Sequence, residues 1–214
     1  MQGFQDFLVE DKNTHLEHLE DEIINNGTKG ARTAINFLKS VKEMLQGGKG
    51  GSTVTVKWDG APALFIGKHP ETKEFLVAKK SLFNKTPLYY TSVDQIKNAT
   101  ELSSELKKKF TAAFNEFKDS GITNIIQGDF LFEGADLKFP VRIDGENFIT
   151  FHPNTIVYTI PAHCDLAKKI KAAKMGIVWH TTYKGRKLES LTNFFGVKMP
   201  KAHSSVWQVD AMYR

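Results

Sequence analysis

The sequence predicts an α+β domain built from antiparallel sheets flanked by helices, with helices leading at the N-terminus. Three observations carry this. Several helical segments are scattered among the β-like runs without alternating with them one for one. The β-like runs are joined by short connections punctuated by Pro, Gly and Asn, as in antiparallel sheets. Finally, 214 residues with 41% hydrophobic content suffice for one good core, with at most a small appendage.

Residues 13–26 and 30–45 read as helices, the second with Ala31, Ala34, Ile35, Leu38, Val41 and Leu45 at helical spacing. A glycine cluster over 47–51 ends that pattern. It lacks the lysine-serine/threonine ending of a phosphate loop and precedes a strand, so it reads as a hinge. Residues 52–58 alternate as a strand, and further β-like runs cover 63–67, 74–79, 125–132, 148–152, 155–160 and 176–183. A helix over 101–118 places Leu102, Leu106, Phe110, Ala113, Phe114 and Phe117 on one apolar stripe, and a lysine-rich helix comes after it over 164–173. The expected organisation is an N-terminal helical segment, 1–50, packed on a core of 51–214.

Composition narrows the class. The single cysteine, Cys164, excludes an internal disulfide and suits a reducing, cytoplasmic compartment; it reads as structural. No apolar run approaches the ~18 residues of a membrane span, and the N-terminus lacks signal-peptide regions. No membrane partner is expected, and a monomer is. The net charge of +5 is uneven: residues 1–30 hold seven acids and two bases, net −5, which leaves +10 on the remainder. From Ala162 onward there are ten Lys/Arg against three acids, the balance that phosphate binding requires.

The chemistry-bearing stretch is Lys57-Trp58-Asp59-Gly60. Alternation along a strand over 52–58 would aim Lys57 and Asp59 to one face with Thr53 and Thr55, opposite Val54, Val56 and Trp58. Val56-Lys57-Trp58-Asp59-Gly60-Ala61-Pro62 resembles the first motif of the covalent nucleotidyltransferases, the superfamily of ATP-dependent DNA and RNA ligases and mRNA-capping enzymes. Other stretches resemble later motifs in the same order. Ala78-Lys79-Lys80-Ser81 sits where that superfamily carries a basic residue. Ile126-Gln127-Gly128-Asp129-Phe130-Leu131 resembles its third motif, an acidic strand. Phe148-Ile149-Thr150-Phe151-His152 takes the place of the aromatic strand that stacks the purine. Gly176-Ile177-Val178-Trp179-His180 looks like the fourth motif, and Val197-Lys198-Met199-Pro200-Lys201 is similar to the last, lysine-bearing one. The series spans roughly 52–201. The wording of His152–Tyr158 and Val178–Tyr183 also resembles a ligase-like family of tailed-phage proteins, which would place the chain in the host-cell cytoplasm.

The resemblance implies a nucleotidyltransferase (adenylation) domain of ATP-grasp-like type. Lys57 would attack ATP to form a covalent lysyl-AMP, with Asp59 orienting it. Val56, Gly60, Lys79, Lys80, Asp129, Phe151, Lys198 and Lys201 would bind the nucleotide. Mg²⁺ or Mn²⁺ would be held by Asp129 and Glu133. AMP would then pass to the 5′-phosphate of a DNA or RNA end or nick. A lysine attacks only as the free amine, and burial beside other cations such as Lys79, Lys80, Lys198 and Lys201 would supply it. Within the purine strand Phe148 rivals Phe151, and Lys184 competes with Lys198 and Lys201. Two departures stand out in the fourth motif, where Met175 takes the glutamate position and His180 the lysine position. Metal binding would then shift to Glu133, Asp136 or Asp165, or the later steps would be impaired. Only thirteen residues come after Lys201, so no oligonucleotide-binding (OB) barrel is expected in this chain. The alternatives are a capping-type guanylyltransferase, a protein adenylyltransferase, or an inactive nucleic-acid-binding relative.

Overall fold

The computed structural model describes residues 19–47 and 55–212. Residues 13–18 of the helix expected over 13–26, most of the glycine cluster and residues 52–54 of the expected strand lie outside them. The chain divides into two compact units, Met1–Val56 with Met212–Arg214, and Lys57–Ala211, so the division falls after Val56 and not at residue 50.

In the first unit, helix α1 (Leu19–Leu45) is broken at Gly27, whose φ of 53° and ψ of −130° are not helical. This is the break expected between the two helical patterns, and only glycine takes such angles without strain. At Gly30 a Cβ would overlap the Glu22 carbonyl oxygen, so the two halves meet backbone to backbone there. Of the predicted stripe Ala34 is buried, whereas Ile35, Leu38 and Leu45 are exposed.

The second unit holds a mostly antiparallel sheet and a smaller antiparallel one, in agreement with the predicted α+β class. The larger sheet runs β2 (Phe75–Ala78), β1 (Ala63–Lys68), β3 (Ile125–Glu133), β7 (Met175–Lys184) and β8 (Thr192–Phe195). Strand β9 (Val206–Asp210) pairs in parallel with Met175–Trp179, while β8 pairs with Thr181–Lys184, so the two share one edge of β7. The smaller sheet is β4 (Lys138–Ile143), β5 (Glu146–Phe151) and β6 (Tyr158–Pro161). Strands β4, β8 and β9 and the short helix α2 (Val93–Asn98) have no counterpart among the elements expected from sequence. Strand β4 is mostly exposed and β8 is only four residues long, so neither carries a period-2 signal of burial.

Helix α3 (Ser104–Phe117) starts where Ser103 accepts a hydrogen bond from the Leu106 N–H, and its predicted stripe is core. Leu102, Phe110, Ala113 and Phe117 pack with Leu64, Ile66, Ile126, Phe130, Ile177 and Trp179 on one face of the large sheet. Helix α4 (Asp165–Ala172) is capped by the Cys164 sulfur, which accepts from the Ala167 N–H at 3.4 Å, so the cysteine is structural as expected.

The other face of the large sheet carries two separate apolar clusters. One joins Leu131, Phe132 and Val178 to Ile149 and Phe151 of the small sheet and to α4. The other joins Phe65, Leu76, Ala78, Ile125 and Tyr183 to Leu188 and Leu191. Between them the sheet is polar. Gln127 accepts from the Tyr183 hydroxyl at 2.7 Å, and Asp129, His180 and Thr181 continue the strip.

Candidate functional site

Two irregularities build the polar strip. Gln127 pairs with Thr181 and Gly128 with Trp179, which leaves His180 as the extra residue of a β-bulge in β7. Farther along, Phe130 pairs with Ile177 and Phe132 with Gly176, which makes Leu131 the extra residue in β3. Bulges re-aim side chains, and the first brings His180 to the face that Asp129 occupies. His180 Nε2 lies 3.5 Å from Asp129 Oδ2, with both side chains about 20% exposed, and His180 Nδ1 lies 2.7 Å from the Thr181 hydroxyl. The second bulge carries Phe132 into the same cluster as Leu131, whereas simple alternation predicts it opposite. Gly128 is required by crowding, since a Cβ there would lie 2.3 Å from the Val178 carbonyl oxygen.

The Lys57 segment arrives beside this pair. Residues 56–60 form no strand; only Thr55 makes an isolated bridge, so the alternation expected over 52–58 is not realised in its described part. The segment runs instead along β3. The Ala61 N–H donates to the Phe130 carbonyl at 2.9 Å, and the Phe130 N–H donates to the Pro62 carbonyl at 3.1 Å. Gly60 presses on β3 so closely that a Cβ would sit 2.5 Å from the Asp129 Cβ and 2.9 Å from the Phe130 carbonyl oxygen. That explains the glycine of the motif in this chain. Trp58 is the anchor: it stacks on Tyr158 at 5.3 Å and meets Trp207 edge-on at 6.4 Å.

Asp59 has a different role from the one expected. Its Oδ1 accepts from the Asn154 amide at 2.8 Å, and its Oδ2 accepts the backbone N–H groups of Thr155 at 2.5 Å and Ile156 at 2.6 Å. The Asp59 N–H in turn donates to the Tyr158 hydroxyl at 2.7 Å. Both carboxylate oxygens are occupied, so Asp59 latches the Lys57 segment to the turn before β6. The Asn154 amide, followed by the Ile156 N–H, holds its carboxyl below the usual carboxylate range. Sequence composition places 155–157 in a strand and misses this latch, although Pro153-Asn154 is a turn signal.

Several expected site residues lie elsewhere. Phe151 is 2% exposed; its ring stacks on Tyr158 at 5.1 Å and packs on Phe132 at 5.0 Å, so it is core and offers no open face to a purine. Glu133 does not join Asp129. The bulge at Leu131 turns it toward Lys109 and Glu105 of α3, and burial raises its carboxyl above the ordinary range. Lys198 and Lys201 line a cavity with Ile126 and Thr182, on the α3 face of the sheet and away from Asp129. Lys79 lies close enough to Glu101 to help keep that carboxyl ionised, after the Tyr90 hydroxyl that bonds to it. Lys80 and Val56 are exposed. Lys57 too is exposed, so the expected shell of cations around a buried amine is not what this structure builds. Met175 is 5% exposed within the apolar core, which removes the fourth-motif glutamate position from metal chemistry.

Asp129 and Glu133 are not brought together as the expected metal pair, and among the described residues no group of three or more His, Cys, Asp or Glu could hold an ion.

Fold and site together define a mixed α+β protein in which the loop after Lys57 packs on an acidic strand and a histidine-bearing strand of the larger sheet. Residues 13–214 match the family of unknown function DUF6267, and the chain belongs to that family. No curated protein and no solved structure matches it. Among the described residues no helix is long and apolar enough to cross a membrane.

Proposed function

We propose that the chain is a nucleotidyltransferase of the polynucleotide-ligase type. The Lys57 amine attacks the α-phosphorus of ATP, the bond to the β-phosphate oxygen breaks, pyrophosphate leaves, and the amine proton passes to solvent. Lysyl-AMP remains as a phosphoramidate. The AMP then passes to the 5′-phosphate of a DNA or RNA end, and a 3′-hydroxyl displaces it to join the strands. Asp129, half-buried and facing His180, would accept hydrogen bonds from the sugar hydroxyls.

One observation carries the reading. Gly60, three residues after Lys57, is packed onto Asp129, and Asp129 faces His180, so residues from three stretches far apart in sequence meet, which supports the reading. The basic residues after Ala162 suit a nucleic-acid partner. The test is incubation with labelled ATP and, separately, labelled GTP: label on Lys57 from ATP supports the reading, and label from GTP alone replaces it with a capping-type activity. The burial of Met175 and the exposure of Lys57 favour a second reading, a catalytically inactive nucleic-acid-binding relative, in which neither nucleotide labels the chain.

A further inference from the structure

The β8 edge and the cavity beside it lie outside the site described above. In β8, Phe194 is opposite Thr182 and Phe195 is opposite Thr181, so the two rings project to opposite faces of the sheet. Phe195 takes the Asp129 face. Phe194 takes the α3 face, 47% exposed, and the Lys184 ammonium sits 5.1 Å from its ring centroid on that same side. Its cross-strand neighbour Thr182 lines a cavity of about 390 Å³ together with Lys198, Lys201, Thr123, Asn124 and Asp119.

These features complement one another. An exposed aromatic ring on a short edge strand, with a cation over it and two further lysines lining the cavity beside it, combines a stacking surface with phosphate-binding charge. Asp119 is the only acid among the lining residues. The hairpin between β7 and β8 adds Arg186 and Lys187, both exposed. Phe194 and Phe195 leave two exposed rings at consecutive positions on a sheet edge, 47% and 54% exposed. A partner with flat apolar faces and regularly spaced negative charge would cover it.

We propose that this edge binds single-stranded nucleic acid, with an unpaired base stacked on Phe194 and the adjoining phosphates held by Lys184, Lys198 and Lys201. Lys198 and Lys201 then grip the polynucleotide and do not serve the nucleotide bound at Asp129. The site shares the nucleic-acid partner of the reading above but none of its chemistry, and it operates without ATP.

The experiment is fluorescence anisotropy of the full chain with a labelled oligothymidylate of about a dozen nucleotides, titrated without nucleotide at several salt concentrations. Phe194→Ala is expected to weaken binding at least about fivefold, the loss of one stacked base. Lys198→Ala/Lys201→Ala is expected to weaken it further and to reduce the slope against log salt by roughly 0.7 per lysine. Phe194→Trp keeps the binding, and its indole fluorescence is quenched as the oligonucleotide adds, which separates stacking from misfolding. Binding is titrated without ATP and labelling is measured with it, so loss of labelling chemistry and loss of this site are read separately. Unchanged affinity in both the Phe194→Ala and the double-lysine variants overturns the proposal. So does tight binding to a blunt duplex with none to the single strand.

Discussion

The two faces of the β3–β7 pair differ in kind. The α3 face is one continuous apolar surface of Ile126, Phe130, Ile177 and Trp179 under a helix. The opposite face is apolar at both ends and polar in the middle, where Gln127, Asp129, His180 and Thr181 interrupt it. Polar groups at the centre of a sheet cost stability unless each is satisfied, and a chain that needed only a core would repeat the α3 face. The bulge that turns His180 toward Asp129 gives the polar face its character, and Gly60 brings the Lys57 loop onto it. One face is a continuous core; the other interrupts its apolar packing with a polar strip.

Variants can break or sharpen that contrast. The largest effect is expected at Asp129. Asp129→Asn should lower ATP-dependent labelling by about 10²–10³-fold, the scale of losing one preorganised electrostatic group, while the denaturation midpoint barely moves. A large loss of stability with labelling intact would make the polar strip ordinary structure. Gly60→Ala comes next. Its Cβ would lie 2.5 Å from the Asp129 Cβ, and a shift of about 1 Å in the Lys57 loop should cost roughly 10²-fold in labelling rate. On the apolar side Phe151→Ala should destabilise by about 3–5 kcal/mol in urea unfolding, as a buried phenylalanine does; if it lowered ATP affinity without loss of stability, Phe151 would be a purine platform after all.

A pH effect tests the latch. The Asp59 carboxyl is held below its ordinary range by the Asn154 amide and the Ile156 N–H, so its contribution is fully present above the unfolded-state value. It is lost as pH falls through and below the usual carboxylate range. Asp59→Asn should flatten that acid limb of the stability curve, and an unchanged limb would remove the latch. The smallest effect is expected at Glu133. Burial raises its carboxyl, so the folded state favours the neutral form and Glu133→Gln should leave stability the same or slightly higher. Labelling should stay within about twofold, because a residue on the α3 side gives the transition state no charge.

Much of this organisation is legible in the sequence, for identifiable reasons. The α3 stripe and β1, β3 and β7 are long or strongly periodic, and periodicity survives tertiary packing. The Gly27 break is a local signal, whereas the helix start falls at Ser104 and not at the expected 101. The bulges at Leu131 and His180 are not legible, because one extra residue leaves the local pattern looking regular while it reverses the face of every residue after it in the strand. That is why Phe132 and Glu133 fall on faces opposite to those alternation assigns. Phe151 illustrates a different limit: an aromatic in a strand looks the same whether its ring meets a ligand or Tyr158. Asp59 shows the reach of long-range contacts, since its partners lie 95–97 residues away.

Covalent chemistry at Lys57 is the centre of the proposed function, and intact-protein mass spectrometry after incubation with ATP and a divalent cation addresses it directly. The expected result is a mass gain of one AMP on the wild-type chain, absent in Lys57→Ala and reversed by added pyrophosphate. No gain in the wild type, or a gain that persists in Lys57→Ala, would contradict it.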